Sequence, residues 1–575
     1  MSTIRSRENW KVSAVILSTL ALINLIANFS LASQFGLYED DYLEIIHPFT
    51  SNWHTLAPRL AYYVVHWPQG RPFYWISFSL LSWLAGNSGG IGQLYIIGFL
   101  FITAAAFSVQ RLLQRFFSVE TSLLAACFFI IYPPDVAKQI VIHQACFFLG
   151  TILAVWAITS YLDNRKIRAT LLAIVILLTY EPYFLILPCA VFLSFALMEN
   201  RKWKDFVIWG LLLACSLVLV LWIRRNMGEE RVVALFSGPG QAFLNAARAM
   251  CIGPATAIML ILARPLEGIL HGNGLQWVFA FSSGALLWMV MTLLGFLKPS
   301  ENPPIRSGRW IALAAIVAAV LPYAYRFVPD YFPPNVTIGR LSALHQVSAL
   351  GFSLGIALLF TRLLQINSRL VRPARFLACC LLISNIPFAL EIQQTQYVRN
   401  AKQQRLFWND LLSQIGDLED GMPIIVDFDS CIRSSDFLGT EGLNVYWLIN
   451  YPVNTISYLV ETPKDWKKVP RIFAYYRSAK QWRSGDALAF ESSIFTSDAD
   501  PVFLRNGEYL YFVHSNGHLR RSMEKLSKDG FVVSPHPVDS RYNVEFPRTS
   551  FGQTFLSEDL HLWKALVPSN GYPRP

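Results

Sequence analysis

Two adjacent aspartates, Asp40 and Asp41, have the residue type and spacing most suggestive of chemistry in this sequence. They lie in the acidic segment Leu37–Glu44, directly after the first long apolar stretch. A carboxylate beside a second carboxylate has a raised pKa and can then act as a general base. Asp40 is the first choice for the base and Asp41 the second. The pair could also divide the work, with one aspartate as the base and the other orienting the second reactant or a divalent metal (Mg²⁺ or Mn²⁺). A solvated loop is the alternative interpretation.

Arginines near the ends of later apolar stretches could bind an anion. Arg71 belongs to Gly70-Arg71-Pro72, Arg340 follows Gly339, and Arg326 follows a further apolar stretch. The guanidinium group is planar and weakly hydrated, and it binds oxyanions through two parallel hydrogen bonds. An arginine in this position can instead be an anchor that extends its charge to lipid head groups. We expect Arg340 to bind the anion, with Arg71 and Arg326 as alternatives.

Three more ionisable residues are candidates for substrate contact: Glu181, Asp135 and His143. Glu181 lies in Tyr180-Glu181-Pro182, between two apolar stretches, and an ionisable group near membrane depth is costly and tends to be functional. Asp135 follows two prolines, and His143 begins an apolar helix. A lone histidine there is more often a packing residue.

The rest of the chain must position these residues across a membrane. Of its 575 residues 54% are hydrophobic and only 15% are charged, whereas a soluble domain has roughly 25% charged residues. A membrane-spanning helix needs about 20 apolar residues. The sequence predicts about eleven spans, namely Val12–Ala32, Ile91–Leu113, Thr121–Tyr132, Cys146–Leu162, Ala169–Tyr180, Tyr183–Met198, Phe206–Ile223, Leu275–Leu297, Trp310–Phe327, Leu341–Leu364 and Phe376–Leu390.

Two apolar segments, Pro72–Ala85 and Ala242–Leu270, are ambiguous. The first is short, and the second is interrupted by Gly253-Pro254 and Arg264-Pro265. If neither crosses, every predicted cytoplasmic loop is basic, as the positive-inside rule requires. We therefore expect both to be re-entrant or surface-lying helices. The result is a multi-pass protein of the plasma (inner) membrane with a cytoplasmic N-terminus, an uncleaved first helix and an extracytoplasmic C-terminal domain.

The sequence predicts a membrane domain over 1–395, with 33–90 as its first external loop, and a soluble α/β domain over 396–575. In the latter, Pro423–Asp427, Tyr509–His514 and Gly530–Val533 have the pattern of strands, and Gln404–Ile415 and Met523–Lys528 that of helices. His514 and His518 share a predicted surface turn.

Composition excludes some function classes. The net charge of +10 could suggest nucleic acid, but in a membrane protein basic residues more often mark cytoplasmic loops and contacts with anionic lipid. All cysteines but Cys431 lie in apolar stretches, where cysteine is usually a small core residue. We expect no nucleic-acid partner, no disulfide framework and no zinc site.

The acidic pair and the later Gly70-Arg71-Pro72 resemble a motif of the GT-C glycosyltransferases, which are polytopic membrane enzymes. The chain is similar to their bacterial branch, which includes O-antigen glucosyltransferases, and it shares its general plan with protein O-mannosyltransferases and lipid A aminoarabinose transferases. Tyr132-Pro133-Pro134-Asp135 and Tyr180-Glu181-Pro182 are weaker similarities. The likeness covers the N-terminal third, and beyond it only the architecture agrees.

This resemblance implies transfer of a sugar from a polyprenyl-phosphate donor to an extracytoplasmic glycan, lipid or protein of the cell envelope. It implies inversion at the anomeric carbon, and it assigns the lipid phosphate to Arg340. Two other functions remain open on the sequence alone. One is a transporter or flippase of a lipid-linked saccharide, which would place charges in the middle of several spans. The other is a non-catalytic envelope assembly factor.

Overall fold

A computed structural model describes the membrane helices and part of the C-terminal region. The described residues are 2–38, 41, 45, 48–49, 51–88, 90–197, 203–227, 229–297, 308–325, 342–366, 371–399, 401–402, 410–411, 414, 422–427, 472–475, 480–490, 502–515 and 518–537. The chain divides into two compact units. The membrane unit comprises 1–33, 52–81 and 92–396, and the second unit comprises 34–51, 82–91 and 397–575.

The N-terminal 400 residues form a series of helices. They are α1 (Ser2–Asn24), α2 (Trp53–His66), α3 (Pro72–Ser88), α4 (Ile91–Leu113), α5 (Val119–Ile131), α6 (Val141–Leu162), α7 (Lys166–Thr179), α8 (Cys189–Leu197), α9 (Trp203–Asn226), α10 (Glu230–Ser237), α11 (Pro239–His271), α12 (Gly274–Leu297), α13 (Gly308–Val320), α14 (Ala343–Ile366) and α15 (Val371–Phe388). Short 3₁₀ turns follow α7 and α13, at Glu181–Ile186 and Leu321–Tyr325.

Many of these helices are suited to a lipid environment. Within the described part of the chain, nine helices are long and apolar enough to cross a membrane, and two shorter apolar helices accompany them. Large apolar side chains such as Leu211, Val218 and Trp222 of α9 are exposed, as expected where lipid covers the surface. The protein is therefore a polytopic helical membrane protein. The count of about eleven spans stays a prediction.

Helix α11 differs from the sequence expectation. It is continuous over 33 residues with Pro254 and Pro265 inside it, so the predicted interruption is wrong. Neighbouring helices can stabilise a proline-containing membrane helix, and here Gly253 lies directly against the Tyr323 ring. The helix is long enough to cross the bilayer, whereas we expected a re-entrant or surface segment. The orientation of the later loops stays a prediction.

The first and last membrane helices are joined at their ends by one buried side chain. After α1 the backbone continues as a π-helical turn, Leu25–Phe29, and after α15 as another, Ala389–Thr395. The Gln394 amide donates to the carbonyls of Ile26 and Ala27, both at 2.8 Å, and accepts from the Leu31 N–H at 2.9 Å. This residue thus satisfies backbone groups that the turn leaves without helical partners.

The second unit contains a small sheet region. Its strands are β1 (Ile424–Asp427), β2 (Ile472–Tyr475), β3 (Gln481–Ser484), β4 (Ala487–Phe490), β5 (Val502–Leu504), β6 (Leu510–Ser515), β7 (His518–Arg521), β8 (Leu526–Lys528) and β9 (Phe531–Val533). One sheet has the order β2-β1-β6-β7, with β1 parallel to both neighbours, and β3-β4-β5 and β8-β9 form antiparallel sheets. Ile425, Leu488, Leu504 and Tyr511 belong to its apolar core.

The strands predicted at Pro423–Asp427, Tyr509–His514 and Gly530–Val533 are present as β1, β6 and β9. The helix predicted at Met523–Lys528 is wrong, because Leu526–Lys528 pairs with Phe531–Val533 as a hairpin. His514 lies in β6 and His518 begins β7, with Ser515 paired to His518. Residues 516 and 517, at the predicted turn, lie outside the described residues. The helix predicted at Gln404–Ile415 lies mostly outside the described residues.

The segment that carries the acidic pair belongs to the second unit. Tyr38 is fully buried, its hydroxyl donates to the Tyr397 carbonyl at 2.9 Å, and the two rings meet edge to face with centroids 4.7 Å apart. Gly36 lies against Ala401. The beginning of the predicted external loop is therefore held by residues that follow the last membrane helix.

Candidate functional site

A buried ion pair joins two of the residues that the sequence singled out, Arg71 and Glu181. The Arg71 Nε donates to Glu181 Oε2 at 2.7 Å, and its Nη2 donates to Oε1 at 3.0 Å. The relative exposure of the two side chains is 7% and 10%. A bidentate pair this deeply buried fixes both groups in one geometry.

Two further residues bind the same carboxylate. The Arg224 Nη2 donates to Glu181 Oε1 at 3.1 Å, and the Tyr325 hydroxyl donates to it at 2.8 Å. The Tyr325 hydroxyl also accepts from Arg71 Nη2 at 2.6 Å, and the Arg71 guanidinium lies 4.7 Å from the centre of the Tyr180 ring. Glu181 thus holds two arginines and has little capacity left to accept a substrate proton.

The turn between α2 and α3 positions Arg71. Trp67, Gln69 and Gly70 have positive φ angles of 46°, 52° and 69°, an unfavourable conformation for the two residues that are not glycine. The turn aims the Gln69 carbonyl at Arg224, which donates to it from Nη2 at 3.0 Å. A Cβ atom at Gly70 would overlap the Arg224 guanidinium. Glycine at this position therefore permits the close approach that the network needs.

The electrostatics of Arg71 follow from this network. Burial is the largest single influence and lowers the pKa of Arg71, but Glu181, Tyr325 and Tyr180 together outweigh it, and the pKa lies well above its usual value. Arg71 is therefore a permanent cation whose charge is already balanced. Its affinity for an additional anion is lower than the sequence suggested.

A second buried polar cluster surrounds the turn between α5 and α6. The Lys138 Nζ donates to the Tyr132 carbonyl at 3.3 Å, and Arg264 of α11 donates to the adjacent Pro133 carbonyl. Asp135 lies in the same turn, where its Oδ1 accepts from the Ala137 N–H at 3.0 Å. Lys138, Arg264 and Asp135 are all at most 3% exposed. Glu267, three residues after Arg264 on α11, also interacts with Arg264, so the two cations face two carboxylates.

Burial governs the acid–base behaviour of this turn. It raises the pKa of Asp135, although Lys138 and Arg264 oppose the change. It lowers the pKa of Lys138 to about 8, although Asp135 opposes this. Lys138 therefore loses its positive charge as the pH rises through about 8.

Hydroxyl groups extend the cluster at the turn between α5 and α6 and connect it to the network around Glu181. The Tyr323 hydroxyl lies 2.6 Å from His345 Nδ1 and 3.2 Å from Ser348 Oγ, and the Tyr132 hydroxyl lies 3.2 Å from the same serine oxygen. Tyr323 and Tyr325 belong to one 3₁₀ turn, Leu321–Tyr325. One turn therefore supplies a side chain to each buried cluster.

The other predicted site residues are distributed as follows. His143 meets the Phe147 ring edge to face at 4.8 Å, as a packing histidine does. Asp41 is fully buried, and its Oδ2 accepts from the Tyr38 N–H at 3.2 Å, so this carboxylate has a structural contact within its own loop. Asp40, Arg326 and Arg340 lie outside the described residues.

Sequence reasoning missed several members of the two clusters. Arg264 was interpreted as a helix interruption, although a charged residue inside an apolar segment is itself a signal of a polar site. Lys138 was not among the predicted site residues. Tyr323, Tyr325 and Ser348 have no sequence signal, because tyrosine and serine are common in such helices.

A metal site was expected only as an alternative role of Asp40 and Asp41. Within the described ranges, no group of three histidine, cysteine or acidic side chains is arranged to hold a metal ion. Since Asp40 is outside those ranges, its role as a metal ligand stays a prediction.

The buried clusters are the basis for any functional assignment, because comparison with known proteins adds no relative. No protein-family model matches the chain, and no curated protein is significantly similar to it.

Proposed function

We propose that this protein is a membrane glycosyltransferase that transfers a sugar from a polyprenyl-phosphate donor to an extracytoplasmic acceptor of the cell envelope. The observation that carries the proposal is the buried Arg71–Glu181 pair. Two short motifs that were chosen separately, 110 residues apart, contribute to one polar network inside a membrane protein. Charged groups buried in a membrane protein are costly and are characteristic of functional sites.

The state of the carboxylates supports a specific division of roles. Asp135, Glu181 and Glu229 have buried carboxylates among the described residues of the membrane unit, and each interacts with at least one cation. Because these carboxylates are buried and held by cations, an acceptor hydroxyl cannot readily reach them. We therefore assign the general base to the pair Asp40-Asp41. Because the Asp41 carboxylate accepts a backbone hydrogen bond, Asp40 is assigned as the base and Asp41 as the residue that positions it.

The proposed reaction is a single displacement. The acceptor hydroxyl oxygen attacks the anomeric carbon of the donor, and the bond from that carbon to the phosphate oxygen breaks. Asp40 takes the hydroxyl proton, and the polyprenyl phosphate leaves with the bonding electrons. The product has inverted configuration at the anomeric carbon. Arg71 and Arg224 provide positive charge within the membrane unit, with Glu181 as the positioning residue.

The test replaces Asp40 with Asn, which preserves size and removes the basic group. Cells that produce the wild-type protein, the Asp40→Asn variant or no protein are compared by mass spectrometry of surface glycans and lipid-linked sugars. We expect a sugar modification that depends on the wild-type protein and is lost in the variant at equal protein level. Asp163→Asn is the control, since Asp163 forms an exposed pair with Arg115. An unchanged glycan profile in Asp40→Asn would reject the proposal.

A further inference from the structure

Helix α11 packs against its neighbours in the membrane unit through a series of close contacts. Gly253 lies directly against the Tyr323 ring, in the 3₁₀ turn that follows α13. Farther along α11, Arg264 donates to the Pro133 carbonyl, two residues after α5 ends. Both contacts are therefore with the end of a neighbouring helix and not with its middle.

The last turns of α11 contact the end of a third helix. Gly268 lies against the backbone of Phe388, the final residue of α15, and Gly272, directly after α11, lies against Pro387. A Cβ atom at Gly268 would overlap Phe388, so glycine permits this close approach. Over about 22 Å of its length, from Gly253 to Gly268, α11 thus meets the ends of α13, α5 and α15 in turn.

Two of these ends lie at the same level along the membrane unit. The Glu120–Arg375 ion pair, at 2.7 Å, connects α5 and α15 near their opposite ends. Pro133 and Phe388 are each thirteen residues from that pair, or about 20 Å at 1.5 Å per residue. The two residues that α11 contacts are therefore equally far from a common reference.

The third contact, with Tyr323, is at that level too. Its hydroxyl lies 3.2 Å from Ser348 Oγ, which lies 3.2 Å from the hydroxyl of Tyr132, the residue directly after α5. A crossing helix that advances by about 22 Å, out of a hydrocarbon thickness of about 30 Å, would meet neighbours at very different levels. Since α11 meets all three at one level, it runs across the ends of the other helices.

The neighbouring helices in the sequence agree with this course. Arg224, in the last turn of α9, binds Glu181, which also binds Tyr325 of the 3₁₀ turn after α13. Helix α9 therefore ends at the level of the contacts of α11. Gly272, between α11 and α12, lies against Pro387 at that level. The chain thus reaches α11 and leaves it on the same side.

The side of α11 that faces away from these helices is apolar. Leu244, Leu262 and Leu270 are 61%, 66% and 77% exposed, and between Arg248 and His271 every exposed residue of the helix is apolar. An apolar surface of this length is unfavourable in water. It continues onto α12, an apolar helix long enough to cross the bilayer, so lipid is the occupant that covers both.

Charge indicates which leaflet this is. At the other end of the membrane unit, Arg115 lies four residues before α5 begins and pairs with Asp163. Arg165 and Arg168 are exposed beside Lys166 in the same region. Basic loops are typical of the cytoplasmic side, so α11 lies at the outer leaflet.

We propose that α11 does not cross the membrane and instead lies in its plane, against the outer ends of α5, α13 and α15, with outer-leaflet lipid covering its apolar side. Helices α9 and α12 then run in opposite directions, and the basic loops stay together on the cytoplasmic side. The proposal is independent of sugar transfer, because it rests on packing and charge alone.

The first experiment determines on which side α11 begins and ends. Gly240→Cys and Gly274→Cys are placed at its two ends, where an added Cβ meets nothing within 4 Å, and Arg165→Cys is the cytoplasmic reference. The background lacks the exposed Cys215 and Cys251. Cys380 and Cys431 are also replaced by alanine, and the buried cysteines are retained.

Intact cells are treated with a membrane-impermeant maleimide before or after permeabilisation. We expect both glycine positions to be labelled in intact cells and position 165 only after permeabilisation. Labelling of one glycine position in intact cells and of the other only after permeabilisation would show that α11 crosses the membrane, and the proposal would be rejected. Labelling of both together with position 165 would place α11 at the cytoplasmic leaflet and reject the outer assignment.

The second experiment measures depth in phosphatidylcholine nanodiscs with the full-length protein. Nitroxide labels on Leu244→Cys, Met259→Cys and Leu270→Cys, all on the exposed side, report collisions with oxygen, which concentrates in lipid, and with a water-soluble nickel complex. We expect the three depths to agree within about 10 Å, the diameter of a helix. A crossing helix would separate the first and last labels by about 39 Å.

Helix α9 provides the matched control, because it is an apolar helix with exposed side chains that is long enough to cross. Labels on Leu211→Cys and Trp222→Cys should differ in depth by about 16 Å. A similar gradient along α11 would refute the in-plane helix. Few collisions with either reagent along α11 would mean that protein, such as a second copy of this chain, covers its apolar side, and lipid would be excluded as the occupant.

Discussion

At the scale of single residues, Glu181 illustrates how a candidate acid can have a different role in the folded protein. Its Oε1 accepts from Arg71, Arg224 and Tyr325, and its Oε2 accepts from Arg71. With both oxygens occupied it positions two guanidinium groups. The sequence identified the importance of Glu181, but its role depends on partners from three distant parts of the chain.

Removing one member of this pair should destabilise the protein strongly. Arg71→Met leaves the Glu181 carboxylate buried with one cation fewer, and loss of a buried partner costs about 3–5 kcal/mol. The unfolding free energy of the purified protein in detergent measures this loss. Arg115→Met is the matched control, because Arg115 pairs with Asp163 at 2.7 Å with 34% and 38% exposure, and exposed pairs contribute about 0–1 kcal/mol. Equal losses in the two variants would contradict this account of the pair.

At the scale of elements, the turn from Trp67 to Arg71 decides whether Arg71 and Arg224 can both bind Glu181. Gly70→Ala adds a methyl group that overlaps Arg224 and also imposes a positive φ on alanine. We expect the unfolding free energy to fall by more than about 1–2 kcal/mol, which is the cost of placing alanine in this backbone conformation alone. Sugar transfer should fall with it, because Arg224 must move away from Glu181. Unfolding titrations and glycan mass spectrometry measure the two effects.

Gly90 provides the control for this prediction. It has a φ of 90°, and an added Cβ would meet nothing within 4 Å. Gly90→Ala should therefore show the backbone cost only and retain transfer. Equal behaviour of the two alanine variants would mean that the contact with Arg224 has no part in the cluster.

The helices were predictable from local sequence, whereas their interruptions were not. Runs of apolar residues identify α4, α6 and α14, since lipid requires continuous apolar sequence. Pro254 and Pro265 suggested a break in α11, but packing against Tyr323 and its neighbours stabilises the continuous helix. Leu526–Lys528 lies in a short polar segment, where only the pairing with β9 determines that it is a strand.

The candidate site was predictable only where a charged residue stood in an apolar or motif-like context. Arg71 and Glu181 met that condition, and their contact could not be foreseen because the sequence gives no distance between α2 and α7. Tyr323 and Tyr325 contribute one hydroxyl to each cluster only because a 3₁₀ turn follows α13. Such an arrangement is set by tertiary packing and not by the local pattern.

At the scale of the whole molecule, the acidic segment depends on residues from the far end of the membrane helices. Tyr38→Phe removes the hydroxyl that donates to the Tyr397 carbonyl and accepts from the Gly36 N–H at 3.1 Å. We expect faster hydrogen exchange in 34–51, since each lost hydrogen bond weakens local stability by about 0.5–1.5 kcal/mol. Mass spectrometry of peptides after deuterium labelling measures the exchange.

Tyr95→Phe is the comparison for this variant. The Tyr95 hydroxyl donates to the Gln139 carbonyl at 3.1 Å within the membrane unit. Its removal should leave exchange in 34–51 unchanged. If both tyrosine variants, or neither, altered that segment, the Tyr38–Tyr397 contact would not be its anchor.

The contact between Tyr38 and Tyr397 also imposes an order on biogenesis. Tyr38 leaves the ribosome early, but its partner is made 359 residues later, at about 5–20 residues per second. For about 20 to 70 seconds the nascent chain therefore has an acidic loop without its anchor. The segment around Tyr38 can reach its final arrangement only after Tyr397 has been synthesised, so a truncated translation product that stops before Tyr397 would lack this anchor.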